Sequence, residues 1–222
     1  INASALDNGL HAGDLKFVDL DGNNKIEQTT SANDRKDMKV IGNSLPRYNY
    51  NFGISADWYG IDFSVLFQGI GKQNWYPGAE TSMFWGPYSR PYASFIPSDF
   101  MSQVWSEENT DAYFPRPRGY VALGSNRELA VVNTKYLQNL AYCRLKNLSI
   151  GYTLPDKWLS KIGFEKIRVY FSGENLLTFT KLHSDYIDPE QASASNSWKT
   201  SKSDANIYPW AKTYSFGVDI TF

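Results

Sequence analysis

A two-residue rhythm of apolar and polar side chains limits what this chain can become more than any other feature, and it runs flush to the last residue. Tyr48, Tyr50, Phe52, Ile54, Ala56 and Trp58 alternate with Asn49, Asn51, Gly53, Ser55 and Asp57. Successive side chains of a strand point to opposite faces, so the run predicts a strand over 47–58 with one apolar face. Tyr59-Gly60 reads as a short turn, and Ile61, Phe63, Val65 and Phe67 then alternate with Asp62, Ser64, Leu66 and Gln68, predicting a partner strand over 61–70. A third run covers about 139–153. Its parity changes near Lys146-Asn147, which predicts a β-bulge there. A fourth, over 165–178, sets Ile167, Val169 and Phe171 opposite Arg168, Tyr170, Ser172 and Glu174. The last, over 210–222, sets Tyr214, Phe216, Val218, Ile220 and Phe222 opposite Ser215, Gly217, Asp219 and Thr221.

The connections alternate in length. Tyr59-Gly60 and 154–164 are short, whereas 71–138 and 180–209 are long. That is the layout of an outer-membrane β-barrel, and strands of about 10 residues suffice to cross a bilayer when tilted. Asp57, Asp62, Arg168, Glu174 and Asp219 all avoid the apolar face, as a lipid-facing surface requires. A secreted β-sandwich with a solvated polar face has the same alternation and stays open at this point. Aromatics make up 16% of the residues while the mean hydropathy is only −0.45, a pairing that suits strands apolar on one side alone. No run approaches the ~18 apolar residues of a membrane helix. The only helix predicted is a short one near Asp99–Glu107, capped by Ser98.

Composition removes several function classes. A net charge of −1 gives no basic face for nucleic acid. Cys143 is the only cysteine, so neither an intrachain disulfide nor a Cys/His zinc pattern is available. His11 and His183 are the only histidines, and no GxSxG, HExxH or P-loop occurs, so the chain is read as a non-enzyme. Asp185, Asp188 and Glu190 read as a solvated loop or a substrate rim, because nothing sets two carboxylates at a defined distance.

Two segments could bind something. The turn Asp19-Leu20-Asp21-Gly22-Asn23-Asn24-Lys25-Ile26-Glu27 resembles a calcium loop, in which oxygen ligands recur at alternate positions. Asp19, Asp21, Asn23 and the Lys25 carbonyl fit, with Glu27 or Asp34 as the late acidic ligand. Asn24 stands where such loops carry glycine, and a metal-free Asx-rich turn explains the same residues. The second segment, 71–138, carries Trp75, Tyr76, Trp85, Tyr88 and Tyr92, rings that can stack on a sugar or grip a peptide side chain. The same rings could instead form the loop's own core.

Ordered motifs then point to one family. They are Gly13-Asp14-Leu15-Lys16-Phe17-Val18-Asp19-Leu20-Asp21-Gly22, Asn33-Asp34-Arg35, Ile41-Gly42, Pro46-Arg47-Tyr48 and Phe67-Gln68-Gly69. WSEENTDAYFPR at 105–116, YCRLKNLSIGYTLP at 142–155, RVYFSGENLLTFTK at 168–181 and Asp188-Pro189-Glu190 follow in order. Along nearly its whole length the chain resembles the C-terminal part of SusC/RagA-family TonB-dependent outer-membrane transporters. Tyr214, Phe216, Val218, Ile220 and Phe222 look like the C-terminal insertion signal of outer-membrane barrels.

The resemblance implies an all-β fold, the last strands of a 22-stranded antiparallel barrel in a Gram-negative outer membrane, with 1–46 and 71–138 as extracellular loops. It implies import of glycans or peptides energised through TonB, with a SusD-like surface lipoprotein as partner. A passive pore and a secreted glycan-binding module are the alternatives. The chain opens Ile1-Asn2-Ala3 without a signal peptide. The plug, the TonB box and the preceding strands are therefore expected in an N-terminal part outside this sequence, with which 47–58 and 210–222 would pair. No cofactor is implied beyond the calcium ion that the Asp19 turn could take.

Overall fold

The computed structural model describes residues 11–29, 31–89, 96–118, 122–124, 128–160, 163–195 and 208–222. Five long strands form one sheet: β1 (Arg47–Trp58), β2 (Ile61–Lys72), β5 (Tyr142–Thr153), β6 (Lys166–Thr180) and β7 (Thr213–Thr221). Each pairs antiparallel with the next in chain order, giving β1-β2-β5-β6-β7. Two-residue strands β3 (Asn74–Trp75) and β4 (Gln138–Asn139) pair at the two ends of the long β2–β5 connection. The helices are short: α1 (Ser82–Trp85), α2 (Asp156–Leu159) and α3 (Pro189–Ser195).

The register explains why the alternation holds. Phe52 lies opposite Phe67, Ile54 opposite Val65, Phe63 opposite Ile150, and Val65 opposite Leu148. Ile150 continues to Phe171, and Phe171 to Phe216. One unbroken apolar face therefore runs across all five strands, stitched by ring contacts such as Phe52–Phe67 at 5.0 Å and Phe171–Phe216 at 5.1 Å. Cross-strand pairs of this kind are the units that stabilise a sheet.

The opposite face carries the charges. Near the short-turn end Arg168 of β6 grips Asp62 of β2 through Nε at 2.8 Å and Nη2 at 2.6 Å, and also reaches Asp219 of β7 at 3.1 Å. Strand β5 lies between β2 and β6, and the bridge passes over it at Gly151. A Cβ on Gly151 would sit 2.4 Å from Asp62 Oδ1 and 2.6 Å from Arg168 Nε, so only glycine leaves room. Arg168 also covers the Tyr170 ring at 4.7 Å.

A bulge falls where the parity change predicted it, and it widens across the sheet. One step on β2, from Leu66 to Phe67, spans two on β5, from Leu145 to Asn147, and three on β6, from Glu174 to Leu177. Lys146 is the extra residue on β5, and Asn175 takes φ 53° on β6. The φ region is left-handed, where asparagine is among the more tolerant residues.

Both short connections lie at one end of the sheet, where Phe222 also packs against Phe164 at 5.2 Å. The long β2–β5 and β6–β7 connections lie at the other end. Three expectations are corrected here. Residues 99–107 form only a 3-10 turn, Phe100–Gln103, preceded by Asp99 with no side-chain cap. Ser98 does not cap it, and the adjoining segment is held instead by Trp105 and Phe114 pairing across the loop. Helices α1, α2 and α3 were not expected at all. Finally, the third strand starts at Tyr142, because Leu140 N–H turns aside to donate to the Gln73 carbonyl at 2.9 Å.

Candidate functional site

The acidic turn is built from its own backbone donors. The two Asp19 carboxylate oxygens accept the N–H groups of Gly22 and Asn24, each at 2.7 Å. Desolvation is the largest single influence on the Asp19 carboxyl and raises it, yet the hydrogen bonds from Gly22, Asn24, Asp21 and Asn23 together hold it below its ordinary value. Gly22 at φ 78° and Asn24 at φ 63° make the reversal. Asp19, Asp21 and Asp37 bring carboxylate oxygens within 4.8 Å of one another. The sequence pattern missed Asp37. It closes the loop by accepting Leu20 N–H at 2.6 Å and Glu27 N–H at 2.7 Å.

Asp34 and Glu27, the expected late ligands, lie instead on Lys36, each 3.5 Å from Nζ. The Asn23 amide nitrogen donates to Asp21 and Glu27, and its oxygen accepts Lys25 N–H at 2.8 Å. Three hard oxygen donors at alternate and converging positions suit a divalent cation such as calcium. Spacing alone could not select Asp37 from three acids downstream of the turn, because its place depends on which carboxylate the two backbone donors capture.

The long β2–β5 connection has a core of its own. Trp75, Tyr76, Trp85 and Tyr88 are 0–4% exposed. Trp85 meets Phe84 edge-on at 4.8 Å and Tyr136 at 5.2 Å. Phe100 stacks on Phe114 at 4.8 Å. Three of the first four rings have a partner for the polar edge that burial would otherwise strand, whereas Trp75 Nε1 is buried with none among the described residues. Tyr76 OH donates to the Leu129 carbonyl at 2.8 Å, Trp85 Nε1 to the Pro77 carbonyl at 3.2 Å, and Tyr88 OH to the Pro115 carbonyl. Burial raises the Tyr76 and Tyr136 phenols far above their ordinary values, which keeps both neutral donors. In this conformation these rings hold the loop and offer no face to a ligand. Tyr92 lies outside the described residues.

The last long connection joins the same core through Leu182, Ile187 and Ala192. His183 stacks on Tyr113 at 3.7 Å, and its Nε2 lies 2.9 Å from Gln103 Oε1. Asp188 is buried and Glu190 half-buried. Arg144 of β5, 3% exposed in its side chain, binds Asp188 at 2.7 Å and Glu190 at 2.8 Å. Lys146 adds a contact to Glu190 at 3.2 Å. Asp188 also accepts Glu190 N–H at 2.9 Å, capping α3, and Trp210 N–H at 3.2 Å. The segment before β1 is anchored too. The Asp14 carboxylate, 1% exposed, takes Arg116 Nε at 2.7 Å, and Arg118 pairs with Glu128.

The final strand presents its apolar row outward: Tyr214, Phe216, Val218, Ile220 and Phe222 are 48–83% exposed. Both sheet edges, β1 and β7, have one neighbour only among the described residues.

No family model matches the chain. Curated relatives do. It is 31% identical over 212 residues to TonB-dependent receptor P3 of Formosa agariphila, covering 93% of this chain and 19% of that protein. It is 26% identical over 227 residues to TonB-dependent receptor P26 of the same organism, covering 100% of this chain and 21% of that protein. Among solved structures, the RagAB peptide importer in its closed-closed state matches with a TM-score of 0.56 at 23% identity, over 92% of this chain and 20% of that one. The open-open state gives 0.53 at 22% identity, over 88% of this chain and 19% of that one. This second likeness is one of fold. The chain spans about a fifth of the length of the relatives it matches. Similarity to TonB-dependent receptors runs the length of the chain, and its consecutive antiparallel sheet overlays part of a RagAB transporter in fold.

Proposed function

We propose that this chain forms part of the wall of an outer-membrane importer that takes up oligosaccharides or peptides and is energised through TonB. The observation that carries the reading is the unbroken apolar face. Phe63, Val65, Phe67, Val169, Phe171, Phe216 and Val218 share it, while Arg168, Tyr170, Glu174 and Asp219 lie opposite. Lipid would cover the first set, and the lumen with its plug would receive the second. A charge turned toward mid-membrane costs about 2–4 kcal/mol, which supports this assignment of faces.

The edges of β1 and β7 would pair with strands from the rest of the receptor. An unpaired edge in hydrocarbon costs several kcal/mol per group. On this reading the sheet belongs to a closed barrel of 22 strands, with the long connections outside the cell and the short turns and Phe222 on the periplasmic side. A SusD-like lipoprotein would meet the long-loop end. The buried rings of residues 75–88 argue against a secreted glycan-binding module, since such a module needs aromatic faces in the open.

The test is made with the whole receptor in its own cell. The receptor should partition to the outer membrane, run as a heat-modifiable band, and support nutrient accumulation that stops when tonB is deleted. Accumulation unchanged without TonB would leave a passive pore. A receptor recovered in the soluble fraction would refute the wall reading.

A further inference from the structure

A groove of about 570 Å³ lies between the segment before β1 and residues 131–135. Its floor is aliphatic, from Leu15, Ile26, Ile41 and Val131, with Phe17 as its one aromatic residue. The volume falls within the range of small-ligand clefts, and is too small for a docked protein domain. Three features give its chemistry. First, residues 16–18 and 39–41 lie outside any helix, strand or turn, and their backbone groups make no hydrogen bond among the described residues. Unpaired main-chain donors and acceptors beside an apolar trough are what an extended polypeptide adds itself to.

Second, the charges of the groove are unbalanced in what they leave available. Asp14 is held by Arg116, Glu27 by Lys36, and Asp37 by the N–H groups of Leu20 and Glu27. Lys16, Lys39 and Lys135 are exposed and form no ion pair among the described residues. Third, a sugar ring is commonly gripped between flat aromatic faces, and the groove has Phe17 alone to offer. Val18, 68% exposed, lines the groove as an apolar contact for a side chain of a bound strand.

We propose that this groove is a binding site for short extended peptides that alternate aliphatic and carboxylate side chains. The peptide backbone pairs with residues 16–18 or 39–41, its aliphatic side chains enter the trough, and its carboxylates meet Lys16, Lys39 and Lys135. The role of the site, collecting cargo at the long-loop end, rests on the importer reading; its chemistry rests on the groove alone.

The experiment uses the whole receptor purified in detergent and a fluorescein-labelled octapeptide alternating valine and glutamate. Controls are the valine–lysine octapeptide and a neutral maltooligosaccharide. The acidic peptide should bind at least about tenfold more tightly than the basic one, as charge complementarity at a small site requires. The double variant Lys39→Glu, Lys135→Glu should invert that order. These side chains are on the surface, so the variant keeps the fold, and gain of the basic peptide proves it still binds. Val40→Pro, which removes one unpaired N–H, should weaken both peptides.

Equal binding of the two peptides, an unchanged order in the double variant, or competition by the oligosaccharide would each overturn the proposal. Tight, charge-selective binding in a receptor that fails to accumulate nutrient would sink the importer reading and leave the groove standing. TonB-dependent uptake with no peptide bound would do the reverse.

Discussion

The substitution Asp188→Asn in the whole receptor tests how the last long connection is fastened. Asparagine keeps the volume and the capacity to cap α3, so the change removes mainly the charge. Arg144, 3% exposed, then loses its 2.7 Å partner and keeps Glu190 at 2.8 Å. Removing one member of a buried ion pair costs about 3–5 kcal/mol, because the other charge is left in a poor medium. The surviving Glu190 contact places this case at the low end, about 3 kcal/mol. At 1.4 kcal/mol per decade, local opening of the connection should rise by about 100-fold.

The reporter is hydrogen exchange at Ala192, whose N–H donates to the Asp188 carbonyl at 2.9 Å inside the first turn of α3. Its exchange should accelerate about 100-fold, while amides of β1 and β2 stay unchanged. Arg144→Met alone should give a similar acceleration. The two together should add much less than the sum, since both break one interaction. Acceleration below about fivefold, or strict additivity within about 0.5 kcal/mol, would show that the cluster does not fasten the loop.

Three further outcomes are expected. Gly151→Val drives a side chain into the Asp62–Arg168 bridge, which has no room for a Cβ at 2.4 Å, so the heat-modifiable folded band of the receptor should diminish, and an undiminished band would refute the close approach. Terbium luminescence sensitised by nearby aromatics, or calcium-dependent protection from protease, should be lost in Asp19→Asn and Asp37→Asn but kept in Asp34→Asn; equal loss in all three would contradict the Asp19–Asp21–Asp37 grouping. Burial, against the opposing pull of Asp185 and Asp99, lowers the pKa of His183 below 6.5. The neutral ring's contribution to stability is therefore complete above that value and lost as pH falls through the folded pKa, because only the unfolded chain takes the proton early. His183→Gln should flatten this part of the pH–stability profile, and an unchanged slope would count against it.

The strands were legible because each side chain there answers to a local rule. Arg47–Trp58 was bounded to the residue by its own alternation, and the bulge by a parity change that two successive residues display. The long connections obey no such rule. Trp85 is buried by Tyr136, which lies 51 residues on, and Arg144 by Asp188, 44 residues on. No window of sequence contains either pair. Asp37 shows the same limit at shorter range, for its two backbone donors come from opposite ends of the turn. The expected helix over 99–107 failed for a related reason. Ser98 offered a cap, but Trp105 N–H and the Phe114 carbonyl pair at 3.1 Å, and a helix through 105 could not make that bond.

The bulge that widens from β2 to β6 has a consequence for shape. A ladder whose rails hold one, two and three steps between the same pair of rungs cannot stay straight. The extra residues bend the strands that carry them and raise the local twist. The sheet therefore turns toward its short rail, β2, at the height of Leu145 and Leu177, and everything mounted above that line leans with it. Lys146 on one rail, and Asn175 with Leu176 on the other, set that lean by length alone, whatever their side chains touch. Removing one residue from the β6 rail would re-aim the whole loop end without altering a single residue of the loop.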